Sequence, residues 1–178
     1  QVIESDPESD QMEVDIEEEC LKLLALHQPV AHDLRFIVSV LKINNDLERI
    51  GDLAVNIAER ALYLAQHDPL KLDFDFRGMT DKVRSMLKGA LDALVNRDVA
   101  LARQIAGSDD EVDRCNAEMF ARVHQALHAG SDPVESLIHF LCMTLHLERI
   151  GDLATNIAED VIYLVEGEIV RHKTETYK

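Results

Sequence analysis

Residues 47–59 read LERIGDLAVNIAE, and residues 147–159 read LERIGDLATNIAE. The two stretches differ at one position, Val55 against Thr155, and lie one hundred residues apart. Near-identity of that length at a fixed offset marks an internal duplication, so the chain reads as two copies of one structural unit. Within each copy the apolar residues step by three and four, the period of a helix with one buried face.

Outward from the first copy the stripe continues through Phe36, Val40, Ile43, Leu47, Ile50, Ala54, Ile57 and Ala61. It predicts a helix from about Val30 to Gln66, some 55 Å long at ~1.5 Å per residue. The second copy predicts a matching helix from about Pro133 to Glu168, after the stop-and-restart signal Gly130-Ser131-Asp132-Pro133. Each long helix is preceded by a shorter one: about Pro7 to His27, broken by Pro29, and about Asp109 to His128. Between the halves, HDPLKLDFDFRG (67–78) loses the helical period and holds Pro and Gly, which makes it the linker. A further helix starts near Met79, bends or restarts around Asn96-Arg97-Asp98 with Asp98 as a cap, and ends at Gly107-Ser108. It has no counterpart in the first half. The fold class is therefore all-α, two tandem three-helix-bundle repeats over residues 1–66 and 79–178. The first bundle is expected to lack a helix before Gln1, which would leave an apolar groove open or filled by another molecule.

Thirty-four acidic residues against eighteen basic give a net charge of −16. That balance argues against nucleic acid and anionic membrane surfaces, and favours cations or a basic protein partner. No apolar run approaches the ~20 residues of a membrane span. Cys20, Cys115 and Cys142 are isolated among apolar helix residues and read as reduced thiols, so the cytosol is the expected compartment.

The duplicated stretch also carries polar ladders. Glu48, Asp52, Asn56 and Glu59 are spaced 4, 4 and 3 and fall on one side of the helix, nearly opposite the apolar stripe. Glu148, Asp152, Asn156 and Glu159 repeat the set. On the preceding helices Asp6 and Asp10 recur as Asp109 and Asp113, extended by Glu13 and Glu17 in the first half but by Asn116 and Phe120 in the second. Like charges four apart repel, and two ladders converging in each bundle would compound the cost. A bound cation relieves it. The donors are all oxygens, which suits hard cations such as Mg²⁺, Ca²⁺, Mn²⁺ or iron. No Glu-x-x-His pair of the di-iron bundle type occurs. His146, near Glu148, matches Asp46 in the other half and reads as local packing or surface. Gly51 and Gly151 in mid-helix read as close helix packing or as clearance beside the acidic row, and Tyr63 and Tyr163 as core-edge residues. No nucleophile constellation or phosphate-cradling glycine loop stands out, so catalysis has little support.

DLRFIVSVLKINNDLERIGDLAVNIAE, LHLERIGDLATNIAEDVIYLVEG and the acidic helix IESDPESDQMEVDIEEEC resemble the PhoU family over nearly the whole chain. The resemblance implies two tandem three-helix bundles in a cytoplasmic, often dimeric protein that is not an enzyme. It implies a negative regulator of phosphate uptake and phosphate-starvation signalling, linking the phosphate ABC transporter ATPase to a sensor histidine kinase. It also implies multinuclear iron or zinc clusters on paired E(D)-x-x-x-D motifs. Carried onto this chain, one site would use Asp6, Asp10, Glu48 and Asp52, and the other Asp109, Asp113, Glu148 and Asp152. Two other readings remain open: a PhoU-like domain serving another ion transporter, and a carboxylate-bridged metalloenzyme.

Overall fold

The computed structural model describes residues 2–170, without the side chains of residues 4–6. These residues form six α-helices: α1 (Val2–His27), α2 (His32–Ala65), α3 (Phe76–Asn96), α4 (Val99–Ala106), α5 (Asp110–Ala129) and α6 (Val134–Glu166). Two helix starts differ from the sequence reading, and one expected break is borne out. Helix α1 starts five residues before Pro7. A proline in the second turn removes a single ladder bond, next to a helix end whose first four N–H groups have no intrahelical acceptor. Helix α3 starts at Phe76 rather than Met79, because the Asp75 side chain accepts from the Gly78 N–H and caps it. The expected restart is a full break: Arg97 is left-handed, and the Asp98 carboxylate caps α4 by accepting from the Leu101 N–H.

The linker lacks a helical period but has another. Leu70, Leu72 and Phe74 are half-buried and alternate with exposed Lys71, Asp73 and Asp75, the pattern of an extended segment with one face covered. They pack over a small cluster of Met119, Val123, Ala126 and Leu137. The Lys71 N–H donates to Asp132 at 2.7 Å, and Arg122 donates to the Asp73 carbonyl, so the strap is fastened as well as covered.

Helix α6 is the hub. It packs against α2, α3, α4 and α5, whereas α2 packs against α1 and α6. The main core accordingly runs along α6 through Leu147, Ile150, Ala154, Ile157, Ala158, Val161 and Ile162. It meets Ile43 and Ile50 of α2, Met79, Val83 and Met86 of α3, and Ala102 and Ile105 of α4. The duplicated sequence therefore lives in two environments. Every residue from 153 to 159 except Asn156 is buried, while Ile50 alone is buried in the copy at 47–59. The mid-helix glycines divide the same way. A Cβ on Gly51 would meet nothing within 4 Å, whereas one on Gly151 would sit 3.6 Å from Val112. Close packing holds for the second glycine only.

Polar contacts join the two long helices. Lys42 reaches Asp160 at 3.3 Å, with the carboxylate 2% exposed, and lies 5.2 Å above the Tyr163 ring. Tyr63 is stacked between His67 and His139, with ring centroids 4.1 and 3.9 Å away. His146 accepts from Arg60 at 3.3 Å, and burial with two neighbouring arginines lowers its pKa, so it is a neutral interface residue. Leu21 and Leu26 of α1, Val30 after it and Leu34 at the start of α2 are exposed apolar residues. No helix among the described residues is long and apolar enough to cross a membrane. The three cysteines are free thiols.

Candidate metal centre

Helix α1 lies along α2, and this brings its acidic row to the first ladder. One carboxylate oxygen each from Asp10, Glu48 and Asp52 falls within 4.8 Å of the others. The Glu48 pKa is raised, first by burial and then by the charges of Asp52, Glu13 and Asp10. Glu13 thus stands within electrostatic reach of Glu48, beside the three clustered carboxylates. It stands three residues after Asp10, one helical turn on, and that spacing was the signal for it. The Asp6 side chain lies outside the described residues.

The second set assembles on α5 and α6. Burial raises Glu148, with Asp152 and Asp113 adding to the effect. Burial also raises Asp152, followed by the charges of Asp113 and Asp109, and Arg149 offsets part of each shift. Asp113 therefore lies within electrostatic reach of both Glu148 and Asp152, and Asp109 within reach of Asp152. The geometry is looser than in the first set, which alone among the described residues brings three ligand atoms within 4.8 Å. The ladder of α6 also departs from the expected outward face: Glu159 is buried, whereas Glu59 on α2 is exposed. The cause is the hub position of α6, which leaves it little solvated surface.

Glu48 in the first set, and Glu148 and Asp152 in the second, hold their protons more tightly than isolated side chains do. A di- or trivalent cation reverses that logic, since it stabilises the ionised form. The donor set fits hard cations, iron included, and admits zinc on carboxylates. The two sets also share a boundary that the sequence did not suggest. Asp52 and Asp152 line one cleft of about 580 Å³ between α2 and α6, together with Arg49, Asn56, Arg149, Asn156 and a floor of Leu53 and Leu153. Each lining residue has its partner one hundred positions on, so the cleft is paired across the duplication.

Comparison with known proteins follows the same division. A family model described as the PhoU domain matches residues 1–61 and again 76–161. A phosphate-specific transport system accessory protein PhoU homolog of Aquifex aeolicus is 41% identical over 177 residues, covering 97% of this chain and 78% of that protein. The homolog of the same name from Pseudomonas aeruginosa is 40% identical over 173 residues, covering 97% and 72%. Among solved structures, the crystal structure of PhoU from Pseudomonas aeruginosa superposes with a TM-score of 0.89 at 39% identity, covering 94% of this chain and 81% of that one. The phosphate transport system regulatory protein PhoU from Streptococcus pneumoniae gives 0.84 at 30% identity, covering 95% and 79%.

Proposed function

The chain belongs to the PhoU family, and from that membership we propose that it is a regulatory accessory protein of phosphate-specific transport. In this reading it is a cytoplasmic adaptor, acting as a homodimer. It docks on the transporter ATPase and on a sensor histidine kinase, and holds the kinase in its non-signalling state when phosphate is plentiful. The names of its relatives support the transport role. The same names, of accessory and regulatory proteins, accord with the absence of a catalytic assignment. The acidic surface and the exposed apolar residues on and beside α1 support docking on partners.

The observation that carries the metal part is the convergence of Asp10, Glu48 and Asp52. Asp10, Glu13, Glu48 and Asp52 would hold one iron or zinc centre, and Asp109, Asp113, Glu148 and Asp152 the other. The cations would neutralise the ladders and lock α1 onto α2 and α5 onto α6.

Two measurements test the proposal. Deleting the gene in its host should give constitutively high alkaline phosphatase output at high phosphate. Unchanged output would assign the chain to another transporter instead. Metal content of the purified protein, before and after loading with Fe²⁺ or Zn²⁺, should fall by one centre on Glu48→Gln with helicity unchanged. Equal content in wild type and variant would remove Glu48 from the site.

A further inference from the structure

We infer that the cleft between α2 and α6 is a receptor for a tetrahedral oxyanion of the phosphate class, held between Arg49 and Arg149. The inference rests on the metal reading above, because cations on the flanking carboxylates complete the receptor.

The two arginines are the starting point. Most described arginines lack an ion pair, Arg84, Arg103 and Arg122 being the exceptions, so what marks Arg49 and Arg149 is their shared place in the cleft. Arg103 reaches Glu166, and Arg122 reaches Glu118. Arg49 and Arg149 make no ion pair or hydrogen bond among the described residues, Arg149 acting on Glu148 and Asp152 only through space, and both line a cleft that also holds Asp52 and Asp152. The two residues come from different repeats and line one space. Two planar forks lining one cleft suit an oxyanion with four oxygens, each fork taking up to two of them.

The remaining lining groups agree. Asn56 donates one side-chain N–H to the Asp52 carbonyl at 2.8 Å and keeps its second for a ligand. The Asn156 amide has no hydrogen-bond partner among the described residues. The volume, about 580 Å³, falls in the range of small-ligand sites and exceeds what one ion needs. The excess accommodates cations and their water.

Charge then sets the order of binding. Inside the cleft two arginines balance two aspartates. Just behind them stand Asp10 and Glu48 on one side and Asp113 and Glu148 on the other. The bare site is therefore negative and repels an anion. Cations held by the carboxylate sets that include Asp52 and Asp152 would reverse that sign and would supply Lewis-acid sites for the oxygens of an anion held by Arg49 and Arg149. The site then reports two quantities at once, metal and oxyanion.

The test uses equilibrium dialysis on the whole protein with Mn²⁺ and inorganic phosphate, each measured separately. Wild type should bind Mn²⁺ alone, and should bind phosphate at least about tenfold more tightly with Mn²⁺ than without. The double variant Arg49→Gln, Arg149→Gln, altered at two exposed positions, should keep its Mn²⁺ and lose about tenfold in phosphate affinity per arginine, the size of one charge-assisted hydrogen bond. Mn²⁺ binding without phosphate binding overturns the inference and leaves the metal reading standing. Phosphate binding that is equal in the double variant also overturns it. Absence of Mn²⁺ binding overturns both.

Discussion

The same leucine occupies two environments in this molecule, and removing it from each measures what the environment contributes. Leu47 of α2 is 37% exposed, whereas Leu147 of α6, its copy in the duplication, is 5% exposed. Truncation to alanine removes three carbons, each worth ~0.8 kcal/mol when fully buried. At Leu147 nearly the whole transfer term is lost, and the surrounding core leaves a cavity, so the expected cost is about 3–4 kcal/mol. At Leu47 water fills the gap and part of the side chain was already wet, which gives about 1.5 kcal/mol. The difference is ~2 kcal/mol for an identical substitution in an identical local sequence. For a chain of this size 1 kcal/mol moves Tm by ~2–4 °C, so Leu147→Ala should fall by roughly 10 °C and Leu47→Ala by roughly 4 °C. Thermal and urea unfolding followed by far-ultraviolet circular dichroism supply both numbers, with native helicity as the check that each variant folds. Losses equal within about 0.5 kcal/mol would show that α6 is not the hub of the core.

Two further substitutions probe buried polar groups. The Thr155 hydroxyl is buried with no hydrogen-bond partner among the described residues, and its sister position holds Val55. Thr155→Val should stabilise the protein by about 1 kcal/mol, read as a higher urea midpoint; a loss would reveal a hydroxyl that is bonded in solution. Asp152→Asn tests the electrostatics. The carboxyl of Asp152 is raised by burial and by Asp113 and Asp109, so the native state binds that proton more tightly than the unfolded chain does. Its stabilising effect is present below the unfolded pKa and is lost as pH rises through the folded one. The variant should therefore be more stable than wild type at pH 7 without metal, with the advantage shrinking as pH falls toward about 4, where the unfolded aspartate titrates. Saturating Mn²⁺ should reverse the order at pH 7 by stabilising wild type alone. A variant less stable than wild type in metal-free buffer at pH 7 would show that Asp152 is not under charge strain.

Much of the molecule was legible along the chain. The duplication, both long helices, the cap at Asp98 and the helix stop at Gly130 are local signals: period, side-chain oxygen and left-handed backbone act over a few residues. The acidic ladders were legible for the same reason, since a spacing of four fixes a common face. The linker shows where one period hid another: a search for helical steps passes over Leu70, Leu72 and Phe74, whose two-residue alternation makes them a covered strap.

The sequence by itself determined that two near-identical helices would form, and which of their residues would stand in one row. It did not determine which copy would be inside. LERIGDLA is the same eight residues at 47 and at 147, yet only the second copy is enclosed by α3, α4 and α5. Burial is a property of neighbours, and those neighbours come from residues 76–129, which have no full counterpart in the first half. The same is true of the cleft. Arg49, Asp52 and Asn56 specify one wall, and their copies specify the other. The two walls face each other only because α2 and α6 bury their apolar faces together, a contact between residues one hundred positions apart that no local pattern encodes.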